Sequence, residues 1–153
     1  MGRGEREEIF VCSVPGFVQE SGGDVRLAFP PSPAWVRPAR EAVRTALTEV
    51  VPAKRDLIET AAPLTSELVT NAVVASLDSL RPVPVGLYAA WTSQGGLRVV
   101  VQDSAPGYPQ VPPGVPPPEE EHGRGLLLIT LHALDWGVCH HLPGPGKAVW
   151  FVL

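Results

Sequence analysis

Seven of the thirteen residues from Pro106 to Pro118 are proline. Proline has no backbone N–H and a fixed φ, so this stretch can be neither a helix nor an inner strand. It is a long, polyproline-leaning loop, and loops of that length are often functional lids or disordered. The segments on either side must supply the ordered elements.

Before it, Val25 to Phe29 alternates apolar and polar residues as a short strand does, and Pro30-Pro31 ends it. Ser32 is an N-cap candidate with Pro33 in the first turn. The apolar residues Trp35, Ala39, Ala42, Val43, Ala46, Leu47 and Val50 then recur at three and four, which predicts a helix to about Val51. A second helix is expected over about 54–79. Pro63 lies inside it, so either the helix kinks there or it begins there. Val83–Trp91 and Leu97–Gln102 read as strands joined by a turn at Ser93-Gln94-Gly95-Gly96. The unbroken run Val99-Val100-Val101 fits a strand buried on both faces.

After the proline segment, a helix is expected from Leu126 to about Leu134. Two strands follow, about 136–142 and 147–153, joined at Pro143-Gly144-Pro145-Gly146. This order predicts an α/β (α+β) two-layer sandwich: a mixed, mainly antiparallel sheet with its helices on one face. Residues 1–23 read as a loosely ordered N-terminal extension, and 24–153 as one domain.

The chain has 153 residues, enough to bury a core without disulfides or metals. Its 18 prolines and 15 glycines stay just below the share at which disorder becomes the default. Sixteen acidic against twelve basic side chains give a net charge of −4, which argues against direct nucleic-acid binding. No apolar run approaches the ~20 residues of a membrane-spanning helix. The N-terminal residues make a poor signal peptide. Cys12 and Cys139 lie far apart without paired spacing, and a reduced, cytoplasmic chain is the expectation.

Three short constellations could carry chemistry. Glu67 and Asn71, in Glu-Leu-Val-Thr-Asn-Ala-Val, share one helix face at i and i+4. A carboxylate and an amide oxygen so placed can hold a hydrated Mg²⁺ and orient a hydroxyl toward a phosphate. They would equally form the polar stripe of an ordinary amphipathic helix. Asp103-Ser104-Ala105-Pro106-Gly107 follows a buried strand, where a carboxylate can accept a hydrogen bond from a ligand amino group. These are also turn formers. His122-Gly123-Arg124-Gly125-Leu126 opens a helix whose free N–H groups suit a phosphate. Glycines also occur in ordinary loops.

Other readings are weaker. Gly146-Lys147-Ala148 is no P-loop, since Ser or Thr is missing after the lysine and a strand follows rather than a helix. Adjacent His140 and His141 would point to opposite faces of a strand, and no paired zinc-ligand spacing exists. A serine-hydrolase elbow is missing too.

In this order and spacing the three constellations resemble the GHKL, or Bergerat-fold, ATP-binding domain. Within it, the chain is most similar to the stand-alone anti-sigma-factor serine/threonine kinases of bacteria. The likeness spans about residues 24–153. It implies that Glu67 is the catalytic base and that Asn71 coordinates Mg²⁺ bridging the ATP phosphates. It implies that Asp103 binds the adenine amino group and that Gly107 lets the backbone approach the base. His122, Gly123, Arg124, Gly125 and Leu126 would form the phosphate-binding glycine box, and 106–121 the ATP lid. The implied activity is phosphorylation of a serine on an anti-anti-sigma (STAS-type) partner, sequestration of a sigma factor, or both, with a homodimer compatible. There are departures. Ala105 replaces a glycine of the Asp-x-Gly-x-Gly box, Ala148 stands where a Thr often supports adenine recognition, and Pro63 interrupts the helix before Glu67. The alternative is an ATP-binding or degenerate module that sequesters a partner without turnover. A histidine-kinase catalytic domain ranks lower, for want of a phospho-acceptor helix pair.

Overall fold

The computed structural model describes residues 9–11, 25–77, 83–91, 95–105, 124–142 and 146–153. Their elements are β1 (Ile9–Val11), β2 (Val25–Phe29), α1 (Val36–Val50), α2 (Arg55–Leu77), β3 (Val85–Trp91), β4 (Leu97–Asp103), α3 (Arg124–His132), β5 (Asp135–Leu142) and β6 (Lys147–Val152).

Ser32 is a cap, but of a 3-10 turn rather than of α1. Its Oγ accepts from the Ala34 N–H at 3.3 Å, and the turn Pro33–Trp35 runs straight into α1. Pro38 falls in the first helical turn, where N–H groups have no helical acceptor. Ala39, Val43 and Leu47 then bury one face.

α2 settles the question posed by Pro63. The helix begins at Arg55 and continues through the proline. A proline inside a helix costs about 3 kcal/mol. Burying each of Leu64, Leu68, Val69 and Val73 gains about 1.5–3 kcal/mol, which outweighs that cost. Pro63 itself is exposed, so its ring displaces nothing in the core.

The six strands form one sheet in the order β1-β5-β6-β4-β3-β2. The expected two-layer architecture forms, with one difference. Every pairing among the described strands is antiparallel, so the sheet is not mixed. The reason is local. Only five residues separate β3 from β4 and four separate β5 from β6, too few for a parallel crossover, and β6 then lies against β4 running the opposite way. The first strand went unforeseen. Ile9, Phe10 and Val11 pair with Leu142, His141 and His140, and three residues are too few to show a period.

On the helix-facing side of the sheet, Leu87, Ala89, Val99, Val101, Val149 and Phe151 are buried with Leu64, Leu68 and Ile129 of α2 and α3. On the opposite side Val100, Cys139, Ala148 and Trp150 form a second, smaller cluster. Gly137 is the strand partner of Trp150. A Cβ there would lie 2.8 Å from the indole, so the glycine makes room for the ring. Val99, Val100 and Val101 are 0%, 7% and 1% exposed, so β4 is buried on both faces as its apolar run predicts.

The cysteines depart from expectation. Cys139 is disulfide-bonded, and Cys12, the one other cysteine of the sequence, lies outside the described residues. Distance along the chain was a poor guide because β1 pairs with β5, bringing Val11 opposite His140. No helix of the described residues is long and apolar enough to cross a membrane.

Candidate functional site

α2 is the central helix of the layer. Leu68, Val69, Ala72 and Val73 are buried, which leaves Glu67 and Asn71 half-buried on its flank, one turn apart. The Glu67 carboxylate does not extend into open solvent. It packs on the first turn of α3, against Gly125. A Cβ built on Gly125 would lie 2.5 Å from Oε2 of Glu67 and 2.9 Å from its Cβ. Gly125 is therefore the residue that admits Glu67. Burial pushes the Glu67 carboxyl above the ordinary glutamate range.

Two of the three constellations thus meet. The helix bearing Glu67 and Asn71 touches the N-terminus of α3, where backbone N–H groups have no helical acceptor. Arg124 is the first residue of α3 and is exposed. Leu126 is 2% exposed and belongs to the core, so it can offer a ligand only its backbone. Gly107, His122, Gly123 and the expected lid at 106–121 lie outside the described residues.

Asp103 ends β4 on the helix-facing side, in phase with Val99 and Val101. It is 5% exposed. Its Oδ1 accepts from the Ala105 N–H at 2.8 Å and from Lys147 Nζ at 3.0 Å. Burial pushes the Asp103 carboxyl upward, while the Lys147 ammonium and the Ala105 N–H pull it back. Lys147 is itself 6% exposed.

Lys147 is the residue that sequence reasoning missed. Ala148 had drawn attention as a place where a threonine often helps to read adenine. The strand register puts Ala148 on the opposite face, in the cluster with Val100, Cys139 and Trp150. Lys147 is the partner of Asp103 across β4 and β6. The signal was available. Val149 and Phe151 face the helices, so alternation back along β6 turns Lys147 inward. Among the described residues, no three His, Cys, Asp or Glu groups cluster as metal ligands.

A sequence model of the histidine kinase-like ATPase domain matches residues 29–151, four fifths of the chain. The chain belongs to this family. A solved structure containing the RsbU and RsbW domains of Rv1364c from Mycobacterium tuberculosis is similar in fold. Its TM-score is 0.62 at 19% identity, covering 84% of this chain and 31% of that one. This chain therefore spans about a third of that structure. No curated protein matches it significantly.

For this histidine kinase-like ATPase domain, the Gly125 contact gives a direct test. Gly125→Ala is expected to lower stability by about 1–3 kcal/mol through overpacking. Much of the clash is with the Glu67 side chain. The loss should therefore be smaller in a Glu67→Ala background, which denaturant unfolding of the four forms would reveal as non-additivity.

Proposed function

We propose that this domain binds Mg²⁺-ATP and acts as a regulatory protein serine/threonine kinase of the anti-sigma-factor type. Its acceptor would be a serine on an anti-anti-sigma (STAS-type) protein, and a sigma factor its sequestered partner. The observation that carries the reading is the seating of the Glu67 carboxylate on the first turn of α3 at Gly125. A carboxylate so seated would serve as a base beside a helix N-terminus, which suits phosphate. Family membership supports ATP as the nucleotide.

The residues fit the group they would hold. Asn71 supplies an amide oxygen one turn from Glu67, suited to a hydrated hard cation. Gly125, having no side chain, lets the Glu67 carboxylate lie against the helix start, where a Cβ would collide with it. Mg²⁺ bound with the nucleotide would neutralise charge on the phosphates. The protein's part is to position and to take a proton. Glu67 would accept the proton of the attacking serine hydroxyl, and a carboxyl raised by partial burial suits that role better than a fully solvated one. The N–H groups of α3 and Arg124 would hold the phosphates. Asp103 would face the base.

One observation favours a second reading, a domain that sequesters a partner without turnover. Oδ1 of Asp103 already accepts two internal hydrogen bonds. Titration calorimetry separates the two. Under the kinase reading, ATP binds in a Mg²⁺-dependent way, and Asn71→Ala weakens it by about tenfold or more, the loss of one or two charge-assisted contacts. No heat at millimolar ATP in the wild type would favour the sequestering module.

A further inference from the structure

Asp103, the residue proposed above to face the base, is paired with a cation that this task does not require. Lys147 is one of two lysines in a chain with ten arginines. It is buried and lies 3.0 Å from Asp103 Oδ1. Its Cα partners are Asp103 on β4 and His140 on β5, so it sits in the middle of a three-strand row.

A carboxylate alone is an acceptor. It takes a hydrogen bond from the exocyclic amino group of adenine and has nothing to offer a carbonyl at the same place. Here the two donors on Oδ1 use the lone pairs of that oxygen. What remains is Oδ2, an acceptor, beside an ammonium with two further N–H donors. An edge made of one acceptor and one donor is complementary to adenine, whose amino group donates while N1 accepts. It is equally complementary to a six-oxo purine, whose carbonyl accepts while N1–H donates.

Resting on the reading that a purine nucleoside triphosphate occupies this site, we propose that Lys147 is a specificity-determining residue. Paired with Asp103, it relaxes selection at the six position of the base. The domain then accepts six-oxo purine nucleotides alongside ATP.

The test compares ATP with inosine triphosphate, which differs from it only at that edge of the base. Binding is measured by calorimetry with Mg²⁺ on the full chain. The wild type is expected to bind the two within about threefold, and Lys147→Met to favour ATP by about tenfold or more, the weight of one hydrogen bond misplaced in a buried site. A wild-type preference for ATP above about tenfold would overturn the proposal, and so would a ratio unmoved by Lys147→Met. The wild-type ratio decides the matter even if the variant fails to fold. If neither nucleotide binds, the reading of a nucleotide site falls, and this one with it. ATP bound alone overturns only the role of Lys147.

Discussion

Glu67→Gln is expected to cut phosphoryl transfer by about 10²–10⁴-fold, the usual contribution of a positioned general base. ATP affinity should stay within about threefold, because the amide keeps the shape of the side chain and loses only its basicity. Phosphate release from ATP and transfer to a serine-bearing acceptor protein would both report it. The pH dependence adds an independent check. A base must be ionised to work, and burial raises the Glu67 carboxyl above the ordinary glutamate range. The acidic limb of the rate profile should therefore lie above that range in the wild type and vanish in the variant. Stability carries the same signature with the opposite sense. The folded protein holds this proton more tightly than the unfolded chain does. The Glu67 contribution is therefore fullest below the unfolded pKa and falls as pH rises through the folded one. Glu67→Gln should remove that decline. Equal turnover in both forms would end the proposed role of Glu67.

The second large effect concerns stability. Lys147→Ala is expected to destabilise the fold by about 3–5 kcal/mol, because it strands the Asp103 carboxylate without its counter-charge. The side chains of the pair are 7% and 2% exposed, so the carboxylate is poorly solvated once its partner is gone. Replacing both residues with apolar ones of similar volume should cost far less, since burying two charges already offsets much of their attraction. Denaturant midpoints of the single and double variants would show it. A loss below about 1 kcal/mol in Lys147→Ala would mean that the pair behaves as a solvated one.

Much of this arrangement was legible before the fold was known, because it rests on period and spacing. The three-and-four recurrence in α1 and α2 is a direct imprint of one buried helix face. The valine run of β4 marks a strand covered on both sides. Glu67 and Asn71 were visible because i, i+4 spacing alone puts them on one face. What escaped depends on contacts between distant segments. β1 is three residues long, and its pairing with β5 follows from where the sheet ends, not from its own sequence. The linkage of Cys139 was hidden for the same reason. Lys147 was passed over because a Gly-Lys pair in a turn looks unremarkable until the register sets it opposite Asp103. The seating of Glu67 on Gly125 needed two helices about sixty positions apart to meet.

The place of β6 bears on how the molecule comes to be built. It is the last described strand in the sequence, yet it lies inside the sheet, between β5 and β4. Leu153, just beyond it, exchanges both backbone hydrogen bonds with Leu97. During synthesis, β2, β3 and β4 can pair and α1 and α2 can cover them while residues 147–153 are still to come. Throughout that interval β4 is an open edge with an apolar valine run along it, the kind of surface on which chains add to one another. Completion waits for a contact between residues some fifty positions apart, and such non-local closure is slow. Loss of the final strand would therefore not fray one end of the sheet but cut it in two.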